Sequence, residues 1–579
     1  MGKKFYGLRG LHLNIAIAVV AGVDFALFGY DQVSPCHFHI HSRFAKTNHQ
    51  GRVLWRAGGL LTLPSFLDHF PEIDTQHPER TGRTASEVSN IQGITVGGYT
   101  LGCFFGAVAT IWLGNLLGRK KTILVGSAIM IVGAALQASS FELGQLISSR
   151  WITGFGNGMN TSTVPTWQSE TSKSHRRGQM VMIEGSLIVF GVMLSYWIDL
   201  GFSFLEPSTI SWRFPIAFQI ILALFIVALI PGLPESPRWL VLKGRDAEAL
   251  EVLTALNDTT EDDPKVQAEF KAVKDTVFEM AQGSFMDCFK FNRNRNFHRT
   301  ALAYVNQMFQ QISALRLLTD AQIITYYAAT IFENSIGLSP FLSRLLAALN
   351  GTEYFLASII AIFTIEKVGR RKLMLFGAIG QALSMAVLAG TTSIPSDDPR
   401  SQKAGIAAAV FLFVFNSFFA VGWLGMTWLY PAEITPLDIR APANAISTTA
   451  NWIFNFMVVM VTPVAFANIE YNTYTVFAVI NAFMVPCVYF FFPETAYRSL
   501  EEMDEIFHKV HGFQGIFDVV KVAKEQPRRY GKKGELLIPY EDTEEAREVA
   551  RRRSSVVSGS KGAGTDVYNT EKVEDVTGK

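Results

Sequence analysis

Long apolar runs alternate with short charged loops along most of this chain. A helix crossing the hydrocarbon core needs roughly 20 mainly apolar residues. Such runs fall near 12–32, 91–117, 122–140, 146–167, 181–202, 213–232, 300–333, 341–364, 372–390, 404–430, 441–467 and 473–492. The pattern predicts an all-α membrane protein with about twelve transmembrane helices. The segment 233–299 is the longest polar stretch between runs. Its apolar positions at helical spacing around 246–256 and 266–280 predict short amphipathic helices. Past Phe492 the chain turns polar and forms a tail over 493–579. Residues 501–510 continue as a helix, and from about 525 onward charge, Gly and Ser mark disorder.

Charge adds an orientation. Arg119-Lys120-Lys121, Arg176-Arg177, the span from Arg238 to Lys290, Lys367 with Arg370-Arg371-Lys372, and Arg440 all fall in alternate loops. The positive-inside rule makes those loops cytoplasmic, together with residues 1–11 and the tail. The first run is long enough to remain as a span, so no cleavable signal peptide is expected. The net charge of +1 over 579 residues points to no charged partner, and nothing in the pattern calls for nucleic acid. The four cysteines, Cys36, Cys103, Cys288 and Cys487, have neither disulfide nor metal spacing. With no nucleophile–base pair and no metal constellation, an enzyme, a cofactor and a bound metal are not expected. Asn160 and Asn350 match the glycosylation pattern inside predicted spans, and Asn257 matches it in a cytoplasmic loop. None is expected to be modified.

The sequence repeats itself at long range. Leu117-Gly118-Arg119-Lys120-Lys121 returns as Val368-Gly369-Arg370-Arg371-Lys372. Glu170 precedes Arg177 as Glu433 precedes Arg440, and Pro234-Glu235-Ser236 returns as Pro493-Glu494-Thr495. All three are shifted by about 250–265 positions, which implies two parallel six-helix halves, 12–232 and 300–492, related by an axis along the membrane normal.

The order of these motifs resembles the sugar porter family of the major facilitator superfamily, in its fungal hexose-type branch, over about residues 8–507. The carriers of the likeness are Phe28-Gly-Tyr-Asp-Gln32, Gly118-Arg-Lys-Lys121, Arg150 through Gly154, Gly156 and Gly158 to Pro165 and Glu170, Pro234-Glu-Ser-Pro-Arg238, Gln310-Gln-Ile-Ser313, Gly369-Arg-Arg371, Trp428 through Glu433 to Arg440, and Pro493-Glu-Thr495. The resemblance implies the major facilitator fold and transport of a monosaccharide across the plasma membrane. It departs at Asn115, where the family has an aspartate, and after Ser313, where a Gly-x-Asn carrying a sugar ligand is replaced by Ala314 through Gln322. Ala420 stands where facilitative relatives have a glutamate.

By that resemblance Asp31, near the end of the first span, and Arg150, read at the cytoplasmic start of the fourth, match the proton-coupling pair of family symporters. Arg150 also fits simple snorkelling at the interface. Asp24 and Glu184 are further intramembrane carboxylates, open to a functional role or to a helix–helix hydrogen bond. A sugar needs neutral amides that both donate and accept, and rings that stack on its C–H face. Gln310, Gln311, Tyr326, Asn350, Trp428, Asn451 and Trp452 match family ligand positions, and each is also readable as a satisfied core polar group. The cytoplasmic charges read as a gate in which Glu170, Arg177, Arg370 and Arg371 on one side face Glu433, Arg440, Arg119 and Lys120 on the other, bridging the halves when the inner side is closed.

Polar, proline-containing sequence interrupts the chain over 33–58, between Gln32 and Gly59-Leu-Leu-Thr-Leu63. His37, His39 and His41 alternate as a metal-binding strand does, but a translated intron over 33–50 accounts for more. Val33-Ser34, Thr47-Asn48 and Gln50 are encodable as donor-like, branch-point-like and acceptor-like words, and Leu318 through Gln322 is encodable with a branch-point-like and an acceptor-like word. The expected function is proton symport of a monosaccharide by alternating access. A facilitative uniporter and a non-transporting sugar sensor are the alternatives.

Overall fold

The computed structural model describes residues 4–33, 63–74, 78–171, 177–282, 284–313, 340–395, 398–436, 439–469, 471–498, 500–512 and 514–527. Their regular structure is helical. The first half runs α1 (Gly10–Val33), the short α2 (Pro64–His69), α3 (Ala85–Leu117), α4 (Arg119–Ala138), α5 (Leu143–Thr171), α6 (Arg177–Phe202) and α7 (Ile210–Leu229). The loop that follows folds as α8 (Pro237–Leu242), α9 (Asp246–Asn257) and α10 (Pro264–Gln282). The second half runs α11 (Asn296–Ile312), α12 (Pro340–Val368), α13 (Arg370–Thr392), α14 (Ser401–Gly422), α15 (Met426–Ile434), α16 (Arg440–Ile469) and α17 (Asn472–Phe491). The tail adds α18 (Leu500–His508) and α19 (Gly515–Glu525).

Among the described residues ten helical stretches are long and apolar enough to cross a membrane. The spans expected at 146–167 and 300–333 fall on α5 and α11. α5 is too polar to meet that measure, and the 17 described residues of α11 are too few for it; both hide their polar groups inside the bundle. In α5 the hydroxyls of Thr153 and Thr161 donate back to the carbonyls of Ser149 and Asn157 at 3.0 Å each, so burial in lipid leaves them satisfied. The rest of the seventh expected span, with Tyr326, lies outside the described residues, as do the interruption from 34 to 58 and the tail beyond 527.

Within the first half α5 packs against α3 and α4, and α1 against α6 and α7. Within the second, α13 packs against α14 and α17, and α12 against α14. Across the centre α3 meets α16, and α6 meets α12. These are the second span with the eleventh and the fifth with the eighth, pairs that a two-fold axis exchanges. The close contacts therefore obey the symmetry that the sequence repeat carries. Beneath the first half, Trp167 Nε1 donates to Pro234 O at 3.1 Å and Asn14 Nδ2 to Leu256 O at 3.1 Å. These bonds hold α8 and α9 against the bundle.

Candidate functional site

Asp31 and Arg150 are both buried, and they lie within electrostatic reach of each other. Asp31 sits near the C-terminal end of α1 beside Tyr99 of α3 and Gln219 of α7. The Arg150 guanidinium lies over the Tyr99 ring, 5.4 Å from its centroid, and donates to Val96 O at 3.4 Å. Glycine makes this geometry possible. A Cβ on Gly154 would stand 2.1 Å from Tyr99 O, so only a bare backbone lets α5 come this close to α3.

The placement corrects the sequence reading in one respect. Arg150 does not stand at the end of α5 that faces the basic loops. Glu170, at the far end of α5, pairs with Arg119 at the start of α4, so the two helices are antiparallel. Arg150 belongs to the opposite end, with Asp31. Nor does it snorkel, since its side chain is enclosed by protein. A small cavity beside it is lined by Phe66, Ile73, Gln92 and Thr95.

The carboxylate of Asp24 accepts from Asn160 Nδ2 at 2.7 Å, and the same amide donates to Ser127 Oγ at 3.0 Å. The structure thus gives Asp24 the helix–helix hydrogen bond, and it buries the Asn160 glycosylation motif. Glu184 is buried on α6.

In the second half a buried amide network connects α11, α15 and α16. Asn451 Nδ2 donates to Gln307 Oε1 at 2.7 Å and to Gln310 Oε1 at 3.0 Å, and Gln311 Nε2 donates to Gln310 Oε1 at 3.3 Å. Three amides of α11 reach the break between α14 and α15. Asn306 donates to Met426 O at 3.1 Å, Gln307 to Thr427 O at 2.9 Å and Gln310 to Leu424 O at 3.4 Å. Leu424 lies in the break itself, and the Thr427 carbonyl faces Pro431, which has no N–H to give it, so these side chains supply donors that the helix lacks there. Gln310 and Gln311 are therefore both members of a structural network and neutral groups of the kind a sugar needs. Asn306 and Gln307 were missed by sequence reasoning. Their spacing from Gln310 and Gln311 puts all four on one helical face, which is the signal that finds them.

The remaining sugar-ligand candidates are dispersed. Asn350 of α12 accepts from Asn416 Nδ2 of α14 at 2.9 Å. Trp452 of α16 is buried edge-on against Phe28 of α1, with centroids 5.6 Å apart, and so touches the other half. Trp428 is half-buried on α15.

The gate candidates form two matching corners. In the first half Arg119 makes a two-pronged contact with Glu170, Nε–Oε2 3.0 Å and Nη2–Oε1 3.1 Å. Its backbone N–H donates to Glu235 Oε1 at 3.1 Å, and that of Lys120 to Glu235 Oε2 at 3.2 Å. In the second half Arg370 Nη2 meets Glu433 Oε1 at 2.8 Å, while Glu494 accepts from the backbone N–H groups of Arg370 at 2.9 Å and Arg371 at 3.2 Å. Arg371 Nη2 donates to Tyr489 O at 2.6 Å, and Arg440 donates to Thr435 O at 3.0 Å. These acid–base pairs lie within each half. The expectation that they bridge the halves does not describe this conformation, because Glu170 and Glu433 are held by Arg119 and Arg370 of their own halves, and Glu235 and Glu494 by the helix N-termini of their own halves. Glu235 lies outside the spans. Burial pushes its carboxyl above the ordinary value, and the N–H groups of Ser236 and Lys120 and the charge of Arg119 pull the other way.

The profile of the family described as "Sugar (and other) transporter" matches residues 36–507. The chain is 38% identical to the "Sugar transporter STL1" of Saccharomyces cerevisiae over 87% of this chain and 83% of that one. It is 36% identical to the "MFS-type transporter oryC" of Aspergillus oryzae over 91% of each. Its fold superposes on the solved proton:xylose symporter XylE bound to 6-bromo-6-deoxy-D-glucose with a TM-score of 0.68 at 21% identity. That match covers 86% of this chain and 99% of the other.

Proposed function

Since the chain belongs to the Sugar (and other) transporter family of the major facilitator superfamily, whose members are multi-pass membrane transporters, we propose that it moves a monosaccharide together with a proton by alternating access. The observation that carries this reading is the burial of Asp31 against Arg150 in one half, with a neutral amide network in the other. A carboxyl group beside a guanidinium changes its proton affinity whenever the guanidinium approaches or withdraws. Rocking of the halves opens the pair to water on one side and then on the other. A shift of α5 against α1 during that motion draws Arg150 toward or away from Asp31, so the proton loads on one side and unloads on the other. Gln310, Gln311, Asn451 and Trp428 supply donors, acceptors and a ring for the sugar, with Asn350, Trp452 and Tyr326 contributing as the halves close. The relatives named as sugar transporters support the substrate class.

Arg119, Lys120, Glu170 and Arg177 of the first half, with Arg370, Arg371, Glu433 and Arg440 of the second, serve in this reading as the inner gate. Each corner is a rigid unit, and the gate opens by separation of the corners rather than by breaking their internal pairs. Residues 1–11, 233–299 and 493–579 face the cytoplasm, and uptake from outside places the protein in the plasma membrane. Uptake of a panel of labelled sugars into vesicles, with and without an inward proton gradient, tests the proposal. Accumulation that requires the gradient supports it. Equal fluxes with and without the gradient identify a facilitative uniporter, and no flux of any sugar identifies a sensor.

A further inference from the structure

Between α10 and α11 the chain reads Ser284-Phe-Met-Asp-Cys-Phe-Lys-Phe-Asn-Arg-Asn-Arg-Asn-Phe297. One short helical turn, Phe285–Phe289, is anchored from within. Asp287 caps it at Ser284 N with a 2.8 Å hydrogen bond, and Cys288 is buried against Ile439 and Ala443 at the base of α16. The other face of the segment is apolar and uncovered. Met286 is 67% exposed and Phe291 86%, with Phe285, Phe289 and Phe297 also exposed. The rings stand in two pairs, Phe285 with Phe289 at 5.8 Å and Phe291 with Phe297 at 4.7 Å between centroids. Lys290 and Arg293 stand exposed among them.

The location narrows what can cover this patch. Phe297 is on the first turn of α11, the helix that begins the expected seventh span, so the patch stands at the entry of that span. The tail helices already occupy another side of that base. Arg299 pairs with Asp504 and stacks over Phe507, and Arg295 donates to Gly512 O at 2.5 Å. What is left is aromatic rings interleaved with cations at a span entry, which is the composition of a segment seated in a membrane interface.

We infer that residues 284–297 form a lipid-binding element of the cytoplasmic leaflet, with the phenylalanines in the acyl boundary and Arg293, beside the Lys290–Asp287 pair, on an anionic headgroup. Of the charged groups here Asp287 alone is acidic, and it is engaged by Ser284 and Lys290, so the exposed charge is positive. The contact ties the lower end of α11, whose upper end carries Gln310 and Gln311, to the headgroup charge of the leaflet. It stands whether or not the transported solute is a sugar.

The test uses the full chain with Cys36 and Cys487 changed to serine, leaving the buried Cys103 and Cys288 in place. A spin label is carried on Phe291→Cys. The parent without Phe291→Cys controls for labelling of the buried thiols. Collision with lipid-soluble oxygen and with a water-soluble nickel complex is compared in vesicles of phosphatidylcholine alone and of phosphatidylcholine with phosphatidylserine. The expected result is an oxygen-to-nickel ratio several-fold higher with phosphatidylserine, and loss of that increase in Lys290→Glu/Arg293→Glu. A label equally open to nickel in both vesicles would place the patch in solvent or against a cytosolic partner. A label shielded from both reagents would place it under the chain's own tail or a second copy. Either overturns the inference.

Discussion

Glu494 accepts from the backbone N–H of Arg370 at 2.9 Å, and the same relation, Glu235 to Arg119 at 3.1 Å, holds the other half of the molecule. In each case the arginine opens a helix directly after a glycine with positive φ, 85° at Gly118 and 96° at Gly369. A Cβ on those glycines would stand 2.8 Å from Glu235 Oε2 and 2.6 Å from Glu494 Oε2. The glycine turns the chain, the glutamate caps the bare N–H groups of the new helix, and the arginine reaches back to a second glutamate.

These corners predict a stability effect. Gly118→Ala and Gly369→Ala should each cost about 1–3 kcal/mol, from left-handed strain and the clash with the capping carboxylate. Thermal unfolding of the purified protein in detergent checks this. Unchanged melting in both variants would show that the corners are not tightly packed.

Breaking an ion pair inside a corner should cost more than shortening a surface pair. Arg119 and Glu170 are 14% and 5% exposed, so Glu170→Gln leaves a mostly buried cation unpaired, at about 3–5 kcal/mol by analogy with buried pairs. The double variant Arg119→Gln/Glu170→Gln should recover part of the loss. A double-mutant cycle on thermal stability reads the coupling, and strict additivity would deny it.

Gln310→Ala, Gln311→Ala and Trp428→Ala should each weaken sugar affinity by about 1–3 kcal/mol, through an unpaired buried polar group or a lost stacking face. Half-saturation of uptake is the measurement. Values unchanged in all three variants place the sugar elsewhere.

Asp31→Asn keeps the shape of the side chain and removes its titration. Uphill accumulation should vanish while exchange of sugar across the membrane persists. Arg150→Ala should slow net uptake by impairing proton release. The companion readout is alkalinisation of lightly buffered cells on addition of sugar. Its absence in the parent protein rules out symport.

The messenger RNA should lack codons for residues 33–50 and should restore a Gly-x-Asn after Ser313. Sequencing the transcript decides this. Retention of both segments would make the interruption part of the translated protein, two residues beyond Asp31.

Much of this molecule is legible in one dimension. Hydropathy alone locates spans, because a helix in lipid must satisfy its own backbone and face hydrocarbon along about 20 residues. The recurrence of Gly118-Arg119 as Gly369-Arg370, and of Glu235 as Glu494, announces two like halves, and the structure builds like corners from them. Only tertiary packing decided the rest. The end of α5 to which Arg150 belongs follows from the pairing of Glu170 with Arg119, a contact across 51 positions that no local pattern encodes. That Glu170 and Glu433 pair within their halves rather than between them is likewise a matter of distance in space. Asn306 and Gln307 became visible once α11 lay against the break between α14 and α15, because an amide's role depends on which carbonyl stands in front of it. Periodicity says which face of a helix is polar, and the neighbour packed on that face says what the polarity is for.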